Sequence, residues 1–183
     1  MSRPERVADE PPLRAAAVLD DGSADVDALL ADCAARQRRA GRRVRGLVMT
    51  WPDGDREACG AMVLVDLDTR EEYLVSQALG RASAACRADP QGFARASEVL
   101  RRAGGEAPDL VVCNRFGGME AHGEGFSAEL LDLMSADIPL LTVVSPRWAP
   151  AWTEFTGGAP LLPARPEAIE GWIEATLGSP APA

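Results

Sequence analysis

The stretch from Asp109 to Phe126, DLVVCNRFGGMEAHGEGF, constrains the fold more than any other. Leu110, Val111 and Val112 form a short apolar run with no polar alternation, which is how a strand buried on both faces reads. Cys113, Asn114 and Arg115 follow at once, then four glycines within nine residues and the one histidine of the chain, His122. A buried strand that runs into a glycine-rich polar loop is the place where open α/β sheets hold their ligands. This stretch therefore predicts a parallel sheet with helices on both faces and a binding crevice at the carboxyl ends of its strands.

The flanking sequence agrees. Arg14 to Leu19 reads as a first buried strand. A turn at Asp20-Asp21-Gly22-Ser23 follows, then a helix over Val26 to Ala40 with Val26, Leu29, Leu30, Cys33 and Ala34 facing inward. Val44 to Thr50 is a second strand. Cys59 to Leu67 and Glu72 to Ser76 flank Asp68-Thr69-Arg70 and read as a hairpin. Gly80 to Asp89 reads as irregular and Pro90 to Ala103 as a helix. After the central strand come a helix over Glu124 to Met134, a strand over Ile138 to Val144, a short helix over Trp148 to Phe155, a minimal edge strand at Leu161-Leu162 and a last helix over Pro166 to Leu177. The expected organisation is a loose tail at 1–12, one α/β domain over 13–178 and a frayed end at 179–183. Its architecture is a three-layer sandwich around a mostly parallel sheet, with an antiparallel hairpin extension.

Charge restricts the function classes. The net charge is −9 and the pI about 4.7, which argues against a nucleic-acid partner. Every cationic side chain is arginine, for the sequence contains no lysine. Schiff-base catalysis on lysine is thereby excluded, as is any phosphate loop that depends on a lysine. Cys33, Cys59, Cys86 and Cys113 are too widely spaced for a structural zinc site, and no metal site or cofactor is implied. The first residues, MSRPERVADEPP, contain no apolar core of a secretory signal, and no run is long enough to cross a membrane. The expected location is the cytoplasm.

If the first, central and Ile138 strands are parallel neighbours, three loops share one crevice. It would then collect Asp20, Asp21, Asn114, Arg115, Gly117, Gly118, Glu120, His122 and Arg147. Arg115 and Arg147 have the planar geometry that suits an anion, and a helix start near Glu124 would add its dipole. Cys86 beside Arg87 is a further candidate, as a thiol next to a cation. Plainer readings stand beside these. Arg115 could only pair with Asp20, Asp21 or Glu120, His122 could be an exposed loop residue, and Cys86 a buried inert thiol. A catalytic reading would use Glu120 or His122 as base, with Asp20 or Asp21 holding a metal. No nucleophile–base–orienter set supports it.

The succession GRRVRGLVMTW, MVLVDLDTREEYLVSQALG, ACRADP, LVVCNRFGGMEAHGEGF and IPLLTVVSPRWAPAWTEFTGG resembles a bacterial domain-of-unknown-function family often encoded near molybdate-transport genes. That family is in turn similar to P-loop nucleoside-triphosphatases. Gly117-Gly118-Met119-Glu120 matches the end of their acidic Walker-B block, and Asp66 to Glu71 their central hairpin. The resemblance implies a P-loop-NTPase-like fold. It also exposes two departures. Where the phosphate loop belongs, Leu19 to Leu30 reads LDDGSADVDALL, with one glycine, no lysine and four aspartates. Where a Walker-B acidic pair belongs, the chain has Asn114-Arg115. Conventional nucleotide hydrolysis is not expected of such a chain. The expectation is a non-hydrolytic protein binding a small anion or anionic metabolite, with a link to molybdate or molybdenum-cofactor metabolism implied by the resemblance. The alternatives are an accessory module with a protein partner or homo-oligomer, and an atypical nucleotide hydrolase.

Overall fold

The structure is a computed structural model; it describes residues 13–52, 61–78 and 86–178, with backbone only at 77, 78, 86 and 87. The elements in chain order are β1 (Ala15–Leu19), α1 (Val26–Arg39), β2 (Val44–Thr50), β3 (Val63–Asp66), β4 (Glu72–Leu74), β5 (Ser76–Ala78), β6 (Cys86–Ala88), α2 (Pro90–Gly105), β7 (Leu110–Phe116), α3 (Gly118–Ala121), α4 (Ser127–Ser135), β8 (Leu140–Val144), α5 (Ala149–Thr156), β9 (Leu161–Leu162) and α6 (Pro166–Leu177). Seven strands form one sheet in the order β4-β3-β2-β7-β8-β1-β9. Strands β2, β7, β8, β1 and β9 are parallel, and the β3-β4 hairpin adds the antiparallel edge.

Period-two alternation sorts the strand residues onto two faces. Ala16, Val18, Val112, Leu141 and Val143 face α1 and α6, where they pack against Leu30, Cys33, Ile169 and Ile173. Ala15, Ala17, Val111, Cys113, Leu140 and Val144 face the opposite layer, against Val99 and Leu100 of α2, Leu130 and Leu133 of α4 and Trp152 of α5. The result is the three-layer α/β sandwich with a mostly parallel sheet expected from the sequence.

The hairpin turn is held from inside. Asp66 is fully buried and accepts from the Asp68 amide and the Thr69 hydroxyl, and Arg102 of α2 pairs with its carboxylate. The DLDTRE segment is thus tied to the helix behind it. Two differences from the sequence reading bear on the site. Ser76 leaves the hairpin to start β5, which pairs with β6 in a separate two-stranded ribbon, so part of the stretch read as irregular is strand. Residues 59 and 60 of the expected hairpin, Cys59 among them, lie outside the described residues, as do both expected tails. The helix expected over Glu124 to Met134 begins only at Ser127, after the single turn α3. Two glycines with positive φ, Gly123 at 79° and Gly125 at 58°, interrupt it, and an α-helix does not pass through left-handed residues.

Candidate functional site

β7, β8 and β1 are consecutive in the sheet, so their carboxyl ends lie side by side, as the crevice requires. The decisive local feature is in β7. Cys113 pairs with Thr142 and Phe116 with Val144, so three steps along β7 match two along β8. This β-bulge at Asn114-Arg115 restores Phe116 to the face of Cys113 and re-aims the two polar residues between them. Both reach across to α1. Asn114 Nδ2 donates to Asp27 Oδ1 at 2.7 Å and Arg115 Nη2 donates to the same oxygen at 3.1 Å, while Arg115 Nη1 donates to Asp20 Oδ2 at 3.0 Å. Trp51, the residue after β2, donates from Nε1 to Asp27 Oδ2 at 2.9 Å. Asn114 and Asp27 are buried, and Asn114 Oδ1 has no partner among the described residues.

Beyond Arg115, away from α1, lies a pocket of about 450 Å³. Its walls are Met49, Trp51, Met62, Leu64, Val75, Ala88, Phe93, Met119 and Phe126, and its polar edge is Asn114, Arg115, Gly117, Gly118 and Glu120. Phe93 and Phe126 sit against each other with ring centroids 5.1 Å apart. A mostly apolar cavity of this size with a few converging polar groups has the build of a small-molecule site.

The loop that forms the polar edge is stapled by Glu120. One carboxylate oxygen accepts from the Gly117 amide at 2.9 Å and the other from the Phe126 amide at 3.0 Å. Burial pushes its carboxyl above the ordinary range, opposed by these two hydrogen bonds. Gly125 is required for the same reason: a Cβ there would stand 2.2 Å from Glu120 Oε1. Glu120 therefore shapes the loop through both of its oxygens.

The remaining candidates are distributed more widely than the sequence suggests. Asp21 is exposed and accepts from the Ser23 amide; hydrogen bonding from the Ser23 hydroxyl, and then from its amide, lowers the Asp21 pKa. His122 is exposed, with Nδ1 against the Gly118 carbonyl and its ring edge-on to Trp148 at 5.7 Å. Arg147 is exposed and lies over Trp148 at 4.9 Å rather than beside Arg115, and neither it nor His122 lines the pocket. The helix dipole assigned to a start near Glu124 belongs to α4 and begins at Ser127. Cys86 and Arg87 are in β6. Among the described residues no cluster of three or more His, Cys, Asp or Glu side chains could hold a metal ion, and no helix is long and apolar enough to cross a membrane.

Two residues that sequence reasoning did not select are central. Asp27 was visible as one of the four aspartates after the first strand. Its position between Val26 and Leu30, on the inner face of α1, was the available signal. Trp51 had no comparable signal, because only the sheet order brings the end of β2 next to β7.

A model of the family described as "Protein of unknown function (DUF2478)" matches residues 15–172. The chain belongs to this family. Its sequence is also 39% identical over 163 residues to a protein of Bradyrhizobium diazoefficiens named molybdenum import ATP-binding protein ModC 2. That alignment covers 88% of this chain and 18% of the relative, so the chain spans less than a fifth of that protein's length. Among solved structures, the chain is similar to one titled "Solution Structure of a Human Cancer-Related Nucleoside Triphosphatase", with a TM-score of 0.52 over 88% of this chain and 84% of the other, at 16% identity. The likeness in structure establishes a P-loop-NTPase-like fold for this DUF2478 chain and, at that identity, the fold alone.

Proposed function

We propose that this DUF2478 chain is a non-hydrolytic binding module on a degenerate P-loop-NTPase-like fold, and that its ligand is an anionic metabolite with an apolar body held in the pocket beside Arg115. The observation that carries this reading is the ion-pair set of Arg115 with Asp20 and Asp27. It stands at the carboxyl end of β1 and the first turn of α1, where a phosphate loop would present amides and a lysine. Carboxylates in that place repel phosphate. The adjoining pocket is large and largely apolar, and Arg115 turns toward it with three of its five N–H groups outside these two pairs. Such a pocket favours a molecule with carbon surface over a bare oxyanion, whose hydration would be lost against apolar walls.

The relative named as a molybdenum import ATP-binding protein supports a role beside a molybdenum transporter. Because the matching segment is a small part of that protein, the proposed role is that of an accessory binding domain rather than of the ATP-hydrolysing part. The same fact favours a second reading, a protein-interaction module that serves a transporter or a metalloenzyme.

Melting the protein with a panel of organic anions, molybdate, sulfate and nucleotides tests the proposal. Organic anions with apolar bodies raise the melting temperature, and Phe93→Ala or Arg115→Gln abolishes the rise. Phosphate release from nucleoside triphosphates with Mg²⁺ or Mn²⁺ stays at the blank. Turnover that disappears in Glu120→Gln would establish the hydrolase instead, and a pocket indifferent to the whole panel together with a co-purifying protein would favour the interaction module.

A further inference from the structure

Among its partners, Asp27 accepts hydrogen bonds from the side chains of Trp51, Asn114 and Arg115, which lie on two different strands or their ends. We propose that Trp51, Asn114 and Arg115 form an anion cradle whose resident ligand is the chain's own Asp27 carboxylate, which makes Asp27 the residue that decides which anions the site accepts. The inference concerns the same crevice as the proposed function, but its argument and its test do not depend on what the pocket binds.

The donors are fixed independently of the acceptor. Asn114 and Arg115 are set by the bulge in β7, and Trp51 by the end of β2, its parallel neighbour in the sheet. The acceptor comes from another layer, on the first turn of α1. Its two oxygens are used as those of a bound carboxylate would be: Oδ1 takes Asn114 at 2.7 Å and Arg115 at 3.1 Å, and Oδ2 takes Trp51 at 2.9 Å. Asp20 neutralises Arg115 a second time at 3.0 Å.

An external oxyanion then has two ways in, and both are unfavourable. It can displace Asp27, which leaves a buried carboxylate without these three donors. Or it can bind beside Asp27, which adds its negative charge to those of Asp20 and Asp27 already paired with the Arg115 guanidinium. Molybdate, sulfate and phosphate are therefore excluded from the native protein, and a pocket ligand must draw its affinity chiefly from the apolar walls. Once the Asp27 carboxylate is removed, three donors are left facing a space that a small carboxylate fits. A route to it exists: a second hollow of about 310 Å³, lined by Asp25, Asp27, Ala28, Ala31, Thr50 and Trp51 among others, borders the same carboxylate.

The experiment is chemical rescue of Asp27→Ala by sodium formate, read as melting temperature against sodium chloride of equal ionic strength. The variant melts below the wild type in chloride. Formate raises its melting temperature by about 3 °C at roughly tenfold excess over the dissociation constant. The wild type does not respond to formate or to molybdate. Asp27→Asn keeps the side-chain volume without the charge, so it melts low and is not rescued. Adding Trp51→Phe to Asp27→Ala weakens formate binding several-fold. Equal formate responses in wild type and Asp27→Ala, or no response in either, would overturn the proposal. Should Asp27→Ala fail to fold in chloride, recovery of a cooperative transition in formate supports it and failure in both salts counts against it. Calorimetric titration of the wild type with molybdate is a separate arm, and measurable binding there overturns the proposal whatever the variants do. Loss of the pocket's response to organic anions would leave formate rescue intact, so failure of the proposed function and failure of the cradle are told apart.

Discussion

The two sides of Arg115 are built on the same strand and differ in what reaches them from the neighbouring layers. Toward α1, Arg115 meets the carboxylates of Asp20 and Asp27, and Asn114 and Trp51 also donate to Asp27, so the space holds the chain's own charges. Toward α2 and the hairpin, the side chains are thioethers and rings, Met49, Met62, Met119, Phe93 and Phe126, and a pocket of about 450 Å³ stays open. On the polar side the carboxylates of Asp20 and Asp27 already hold the donors of Trp51, Asn114 and Arg115. The apolar side cannot satisfy itself in that way and has surface to bury. The end of β1 is thus closed by local charges while a ligand-sized cavity stays open beside Arg115.

Truncating the residue that divides the two sides should have the largest effect. Arg115→Ala removes the guanidinium that pairs with Asp20 and with buried Asp27, and is expected to lower the unfolding free energy by about 3 kcal/mol, the scale for breaking a largely buried pair. Denaturant titration reads this as a shift in midpoint. A change below about 0.5 kcal/mol would mean that the pair behaves like a surface ion pair, and the contrast between a filled and an open side would collapse.

Gly125→Ala acts on the open side alone. The added methyl meets Glu120 Oε1 in a residue held at φ 58°, and the expected loss is about 2 kcal/mol. Formate rescue of Asp27→Ala should survive this change while the response to organic anions weakens. If both responses fell together, the two sides would be one cooperative unit.

Glu120→Gln has the smallest expected effect and the clearest pH signature. One of the two loop amides loses its acceptor, at a cost of about 1 kcal/mol at neutral pH. Burial raises the carboxyl of Glu120 above its ordinary 4.5 in the folded protein. Its contribution to wild-type stability is therefore fully present below the unfolded value and is lost as pH rises through the raised folded value. The variant does not titrate there, so the stability gap between wild type and variant should narrow as pH rises across that window. A gap that widens would show that the bonds to Gly117 and Phe126 outweigh burial.

The architecture was legible because it rests on local periodicity. Buried strands such as Leu110 to Val112 and amphipathic helices such as Pro166 to Leu177 announce themselves within a few residues, and the alternation of the two implies a parallel sheet. The meeting of the Asp20 and Arg115 loops followed from that topology. The start of α4 was misplaced because Glu124 and Phe126 continue the helical pattern, while the left-handed Gly123 and Gly125 interrupt it for the sake of the Glu120 staple. Arg147 was grouped with Arg115 by loop position, yet its guanidinium lies over Trp148 and it does not line the pocket.

By itself, then, the sequence determined the α/β class, the end of the sheet that carries the crevice, the absence of lysine, and the reversal of charge between Leu19 to Leu30 and Asn114-Arg115. Only the tertiary structure decided what Arg115 does. Its partner Asp27 lies 88 residues away, Trp51 joins through sheet order, and the β7 bulge turns two consecutive residues toward one helix. None of these is encoded in a local pattern, because a bulge and a contact between layers are set by how whole strands and helices pack, while periodicity reports only which face of each element is apolar.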